Sequence, residues 1–436
     1  MKISEIKTAI LGGAYDKAFA ALYGESFDKA AVRARYADAA ENFTKIYGDK
    51  LSADADVSLF SVPGRSEISG NHTDHNHGKV VAAGISLDII AVAAKTDAHT
   101  VRIQSAGFDE DVVDTDTVDK VVDAQKYKAA AIVRGVCDGF LKNGYVVGGY
   151  CAYTTSNVLK GSGLSSSAAF EVMVGNILNH FYNGGKVDAV EIAKIAQYAE
   201  NVHFGKPCGL MDQTACAVGS FVAIDFKDTS APVVEKLDFD LSRHGYSLCI
   251  VNTGGNHADL NEDYASVPAE MKAVAAYFGK PYLRDVDKAD ILANIPVLRS
   301  ACGDRAILRA LHFCNENARV EKITRALKND DLASFLKGIK TSGLSSTILL
   351  QNTYTTKNVS EQGISLAIAV ASEVLDSKPG TAYRVHGGGF AGTMQAFMPN
   401  EYVPEFNAMM KSVFGDDCAY VLSVRPYGAV RLEDLN

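Results

Sequence analysis

The chain has no pair of cysteines at C-x-x-C spacing, no basic excess, no long apolar run and no tryptophan. The first absence removes the usual cysteine-based zinc sets and the C-x-x-C redox motif. The eight cysteines stand among apolar neighbours, as Cys249 does between Leu248 and Ile250, and read as reduced, buried thiols. The net charge of −9 argues against a nucleic-acid or anionic-membrane partner, because both need positive surface to offset phosphate repulsion. It leaves room for a local basic pocket holding one nucleotide. No apolar stretch approaches the ~20 residues that span a bilayer. No apolar run follows Met1-Lys2-Ile3-Ser4-Glu5 as in a secretory signal, so the cytoplasm is the expected compartment. No G-x-x-x-x-G-K-[ST] occurs, so the common P-loop NTPase class is not supported.

What is present is an ordinary globular balance, 47% hydrophobic and 22% charged over 436 residues, enough for a large core in two or three domains. Residues 1–47 read as helical, with Gly24 and Gly48 as stops. Strand patterns follow at 57–62, which Pro63-Gly64 is expected to break, and at 80–83, 87–94, 101–104, 148–154, 221–225, 246–252, 395–398 and 420–424. Helical patterns cover 118–141, 170–182, 189–199, 265–278, 302–327 and 361–376. The irregular mixture predicts an α+β class.

Four segments carry chemistry. Gly161-Ser162-Gly163-Leu164-Ser165-Ser166-Ser167-Ala168-Ala169 lies between a strand and a buried helix. A helix start offers unpaired N–H groups and partial positive charge, glycine lets backbone approach a phosphate, and serine adds hydroxyl donors or a Mg²⁺ ligand. The bland alternative is a Gly/Ser linker into a capped helix. The second segment runs from Pro63 to Gly78 and is crowded with polar and turn-forming residues. Arg65, Asn71, His72 and Asp74 supply the mixed donors and acceptors that a polyhydroxylated ligand needs. Its three histidines, His72, His75 and His77, also suggest a metal, but their spacing matches no usual zinc set. The third joins Glu200 to Pro207-Cys208-Gly209-Leu210-Met211-Asp212-Gln213. A carboxylate in apolar company, as Asp212 is, needs a partner or rises in pKa. It is a candidate base or charge anchor, or else a helix cap. The fourth, His386-Gly387-Gly388-Gly389-Phe390-Ala391-Gly392, allows backbone to pass close to a ligand or to the phosphate loop, or makes a structural turn.

Together these segments resemble the GHMP small-molecule kinases, and the galactokinase family in particular. P-G-R-S-E-I-S-G-N-H-T-D-H-N-H-G is similar to that family's P-G-R-x-N-L-I-G-E-H-T-D-Y-N-x-G. G-S-G-L-S-S-S-A-A resembles its phosphate loop and H-G-G-G-F-A-G its C-terminal glycine motif. The likeness runs from about residue 43 to the end. It implies a two-domain α+β fold, with an N-terminal domain of ribosomal-protein-S5-like type and a C-terminal GHMP-type domain, and the active site in the cleft between them. The implied division is a helical extension over 1–42, domains over 43–205 and 206–436, and a last strand that returns to the N-terminal domain.

The implied activity is ATP-dependent phosphorylation of the anomeric hydroxyl of galactose. Asp212 would be the base or charge anchor, and Arg65 would stabilise the transferring phosphoryl group. Ser167 and Glu200 would hold Mg²⁺. Gly161, Ser162, Gly163, Leu164, Ser165, Ser166 and Ser167 would wrap the ATP phosphates. Asn71, His72, Asp74, Gly209 and Tyr264 would hold sugar hydroxyls with Arg65 and Asp212. The partners implied are a small sugar and ATP.

Several positions depart from the family. Asn71 stands where it has Glu, a position that faces the far end of the sugar, so galacturonate, N-acetylgalactosamine or arabinose are alternative substrates. Glu67-Ile68-Ser69 replaces N-L-I, His75 replaces a tyrosine, and the tryptophan usual before the phosphate loop is missing. A non-enzymatic sugar and ATP sensor is a further reading. The intact Ser167-Ala168-Ala169, with Arg65 and Asp212, argues against it.

Overall fold

The strand that begins at Val57 does not stop at Pro63-Gly64. It runs on through Arg65 to Ser69. Proline has no N–H to offer a ladder. It is accommodated by a register shift between Pro63 and Arg65, and by an outer edge that pairs only at Phe60 and Ser61. Half of the polar segment read as a loop is therefore strand, buried on both faces. The computed structural model describes all residues except 26, 53, 159–162 and 256–259.

The strands in chain order are β1 (Val57–Ser69), β2 (Lys79–Lys95), β3 (Thr100–Ser105), β4 (Glu110–Asp114), β5 (Tyr150–Ser156), β6 (Phe221–Asp225) and β7 (Val233–Leu237). They continue with β8 (Tyr246–Asn252), β9 (Ala382–Val385), β10 (Thr393–Pro399), β11 (Ala419–Leu422) and β12 (Val430–Arg431). A large sheet has the order β12-β1-β2-β5-β3-β4, with β6 on β2 and β7 on β6. Its pairs are antiparallel except β3 with β5. The two short strands expected at 80–83 and 87–94 are one, β2, whose first half pairs with β6 and second half with β5. A small antiparallel sheet has the order β11-β8-β10-β9.

Three helices precede the sheet: α1 (Ile6–Leu11), α2 (Asp16–Tyr23) and α3 (Lys29–Tyr47). Next come α4 (Ala129–Lys142), α5 (Ser166–Tyr182), α6 (Ala189–Tyr198) and α7 (Met211–Val218). Helix α4 is shorter than the 118–141 pattern suggests, because Tyr127 takes a left-handed φ of 63°, which ends any helix to its N-terminal side. The remaining helices are α8 (Asn261–Tyr277), α9 (Lys288–Ala293), α10 (Ile295–Cys302), α11 (Asp304–Lys328), α12 (Leu332–Ser345), α13 (Gly363–Leu375) and α14 (Val403–Phe414). Helices α7, α9, α10, α12 and α14 have no counterpart among the helical patterns read from the sequence.

The period-two alternation of β1 and β2 divides the core. Phe60, Val62, Ile89, Ala91 and Ala93 face the cluster that contains α4 to α7. Val57, Leu59, Ile90, Val92 and Ala94 face α1 to α3, meeting Phe19, Tyr36 and Phe43. Each such large side chain withdrawn from water contributes roughly 1.5–3 kcal/mol. The N-terminal helices thus form an outer layer over β1, the second half of β2 and β5. Among the described residues, no helix is long and apolar enough to cross a membrane.

Candidate active site

Three elements deliver side chains to one point. Arg65 projects from β1, Asp212 from the first turn of α7, and Ser165 stands immediately before α5 with a left-handed φ of 60°. The Arg65 guanidinium donates Nε to Asp212 Oδ1 at 2.8 Å and Nη2 to Oδ2 at 2.7 Å, a two-pronged pair. Its Nη1 donates to the Gly163 carbonyl, and its main-chain N–H donates to Leu164 O at 3.1 Å. The Ser165 hydroxyl donates to Asp212 Oδ2. Burial would raise the Asp212 carboxyl, but the Arg65 guanidinium and the Ser165 hydroxyl outweigh it and hold the carboxyl below its ordinary value. Gly64 makes this approach possible: a Cβ there would lie 2.8 Å from Leu164 O and 2.9 Å from Val158 Cγ1.

Behind this pair lies a second carboxylate group. Glu200 sits in a π-helical turn, Ala199–Phe204, at the end of α6. The Gln213 amide donates to Glu200 Oε2 at 3.0 Å and to Glu171 Oε2 at 2.9 Å, and Lys206 Nζ lies 3.2 Å from Glu200 Oε1. Glu171 Oε1 is buried with no hydrogen-bond partner among the described residues. Burial, and then the nearby Glu200, push the Glu171 carboxyl well above its ordinary value. Ser166, Ser167, Glu171 and Glu200 line a cavity of about 660 Å³. Other parts of its wall include Phe108, Tyr127, Ile132, Phe170 and Phe204, an apolar surface suited to a flat base. The sequence does not point to that surface, because these residues come from separate turns and helices.

Of the residues expected to hold sugar hydroxyls, Asn71, His72 and Tyr264 gather beside the glycine-rich turn that precedes β10. His72 Nε2 lies 2.7 Å from Gly388 O, and Tyr264 Oη donates to Gly389 O at 2.9 Å. Gly209 lies against Asp74: a Cβ at 209 would stand 2.4 Å from Asp74 Oδ2. The same turn borders the phosphate loop, since a Cβ at Gly163 would be 3.5 Å from His386 Nδ1. Gly163, Leu164, Ser165, Ser166 and Ser167 are thus brought to the site. Gly161 and Ser162 lie outside the described residues. The three histidines do not converge as a metal site: His72 approaches His75, while His77 stacks on Tyr282 at 3.7 Å. Among the described residues, no three His, Cys, Asp or Glu side chains group to hold a metal.

Asn71 is fully buried and its amide is engaged within the protein. Nδ2 donates to Glu67 Oε1 at 2.8 Å and Gly387 O at 2.7 Å, and Oδ1 accepts from Asn352 Nδ2 at 2.7 Å. Glu67 in turn receives Arg384 Nη2 at 3.0 Å. The charge and hydroxyl that replace apolar residues at 67 and 69 are both satisfied, Glu67 by Arg384 and Ser69 by Glu316 at 2.7 Å. Glu67 is the residue that sequence reasoning left out of the site. The available signal was that its motif carries Glu and Asn at positions where the family carries Asn and Glu.

Residues 129–220 match the GHMP kinases N terminal domain, and residues 41–95 match the galactokinase galactose-binding signature. The chain is 32% identical to a galactokinase of Streptomyces coelicolor over 67% of its own length and 73% of that protein. It is 30% identical to a galactokinase of Clostridium acetobutylicum, over 83% of its length and 90% of that protein. Its fold is similar to that of Lactococcus lactis galactokinase complexed with galactose, with a TM-score of 0.73 at 23% identity, covering 90% of this chain and 98% of that one. With the loop from Gly163 to Ser165 closed on the Arg65–Asp212 pair, and relatives that match along most of its length, the chain belongs to the galactokinase family of the GHMP kinases.

Proposed function

We propose that the protein transfers the γ-phosphoryl group of ATP to the anomeric hydroxyl of galactose, giving galactose 1-phosphate and ADP. The observation that carries this reading is the junction of Arg65, Asp212 and Ser165 at the start of α5. Phosphoryl transfer needs positioning and electrostatic stabilisation more than covalent help. Asp212, ionised by its setting, accepts a hydrogen bond from the sugar hydroxyl and aims its oxygen. Its lowered pKa favours the role of charge anchor over that of a strong base. Arg65 faces the charge that spreads over the transferring group. The N–H groups at the α5 start and the hydroxyls of Ser166 and Ser167 cradle the phosphates.

The donor set fits Mg²⁺. Ser167, Glu200 and Glu171 line one cavity, all offer oxygen, and Glu171 Oε1 has no protein partner among the described residues. Ser167 and Glu200 would hold the ion, whose remaining ligands are then phosphate oxygens and water. When bound, Mg²⁺ neutralises charge on the β- and γ-phosphates.

A carboxylated sugar is less well supported. That reading needs position 71 to leave the sugar pocket without an acidic group, whereas Glu67 places a carboxylate 2.8 Å from the Asn71 amide. A coupled ADP-release assay over galactose, galacturonate, N-acetylgalactosamine, arabinose and glucose tests the proposal. Galactose should give the highest kcat/KM. Preference for galacturonate would replace the substrate, and no turnover of any sugar would favour a sensor.

A further inference from the structure

Residues 1–42 lie almost wholly before the matched signature, which begins at residue 41. Their contact with the sheet is not only apolar. At its inner edge lies Asp88, fully buried on β2. Its carboxylate accepts from Arg35 Nη1 of α3 at 2.6 Å and from Tyr23 Oη of α2 at 2.6 Å. Ser61 Oγ of β1 donates at 2.5 Å and Arg425 Nη1 at 3.2 Å. Asp88 thus ties the N-terminal helices, the first strand and the C-terminal segment together.

The main chain of the same residue faces the other way, to the stem of the phosphate loop. Asp88 N–H donates to Asn157 Oδ1 at 2.6 Å, and Asn157 N–H donates to Asp88 O at 3.1 Å. The partner of Asp88 across the ladder is Pro63, which has no N–H. The Asp88 carbonyl is taken instead by Asn157 and by Arg35 Nη2 at 3.0 Å. Asn157 directly follows β5, and the residues flanking this clamp, Ile89, Ser156 and Val158, line the 660 Å³ cavity. Val158 also touches the Cβ position of Gly64, beside Arg65.

We propose that the N-terminal helices are a working part of the nucleotide site, with Arg35 a positioning residue that holds the stem of the phosphate loop through Asp88 and Asn157. This rests on the kinase reading. The arrangement is asymmetric: the clamp borders the cavity wall, whereas the sugar loop lies at the far end of β1. A purely structural contact would lower stability without favouring one substrate over the other. A positioning contact acts on the nucleotide side.

The test uses the full chain with Arg35→Ala, Arg35→Lys and Asn157→Ala. Lys7→Ala, which removes an exposed α1–α3 ion pair, is the control. Steady-state kinetics are combined with calorimetric titration of ADP and with melting temperature. Loss of both Arg35 bonds to Asp88 should raise KM for ATP and Kd for ADP by about tenfold in Arg35→Ala. KM for the sugar should stay within about twofold and Lys7→Ala should resemble the wild type, since an exposed pair contributes little. Asn157→Ala, which leaves the buried ion cluster intact, should show the same split, and Arg35→Lys should recover part of it. A fall in melting temperature with ADP affinity unchanged in both alanine variants would overturn the proposal, as would equal losses for ATP and sugar. Wild-type protein that binds no ADP would instead overturn the kinase reading beneath it.

Discussion

The side-chain amide of Asn71 donates to the Glu67 carboxylate at 2.8 Å, so an acid and an amide four residues apart act as one unit. Exchange of the two should be tolerated better than either change alone. Asn71→Glu sets two carboxylates against each other beside the Gly387 carbonyl, and Glu67→Asn leaves buried Arg384 without its counter-charge. Each single variant should lose about 2–4 kcal/mol of stability and at least tenfold in kcat/KM for the sugar. The double variant should regain most of both. Additive losses in thermal melts and kinetics would show that the pair is not coupled.

Asp212→Asn keeps the shape but removes the charge opposite Arg65. It should lower kcat by about 10³-fold or more while ADP affinity changes little, because the loss falls on the transition state. Activity within tenfold of wild type would remove Asp212 from the reaction.

Two buried histidines set a pH limit on stability. The Glu67 N–H can only donate, so His386 Nε2 accepts it at 3.4 Å and Nδ1 carries the proton toward Thr393. Burial, and then Arg65 and Arg384, hold the His386 pKa well below 6.5, and burial lowers that of His312. A folded-state pKa below the unfolded one means that the unfolded chain takes up protons first as pH falls. The stabilisation is complete above pH 6.5 and is lost progressively below it, by about 1.4 kcal/mol per pH unit for His386, with His312 acting in the same direction. His386→Asn should flatten that slope in urea melts between pH 6.5 and 5. An unchanged slope would place the effect elsewhere.

Gly209 and Gly64 pack against different loops, one at Asp74 and the other at Leu164. Gly209→Ala drives a methyl group to 2.4 Å from Asp74 Oδ2 and should raise KM for the sugar alone. Gly64→Ala presses on Leu164 O and should weaken ATP and ADP binding instead. Separate titrations of sugar and ADP check this, and a reversed pattern would reassign the two loops.

Motif chemistry was legible in the sequence because each motif is local. Gly163 to Ser167 and the run from Arg65 to Asp74 announce their donors and acceptors within a few residues. The strand through Pro63 was not, since the register shift that admits proline depends on β2. Glu67 was not, since its partner Arg384 lies 317 residues along the chain. The apolar wall of the cavity was not, since Phe108, Tyr127 and Phe204 have no shared pattern. The α1–α3 segment read correctly as helical, but its polar contact to the sheet was hidden, because it is made to Asp88, an acid that looks unremarkable between Leu87 and Ile89.

The pairing of β12 with β1 bears on how the protein is made. Translation delivers β1 early, yet its outer neighbour, at Val430 and Arg431, emerges far later. Tyr15 Oη and the Ala18 N–H likewise await Glu433 and Asn436. A nascent chain in which residues 425–436 have yet to emerge therefore exposes an open sheet edge and an unfinished Asp88 cluster that lacks Arg425. Arrival of residues 425–436 is what completes the amino-terminal half, so changes within that segment reach the Asp88 cluster and, through Ile89, the wall of the 660 Å³ cavity.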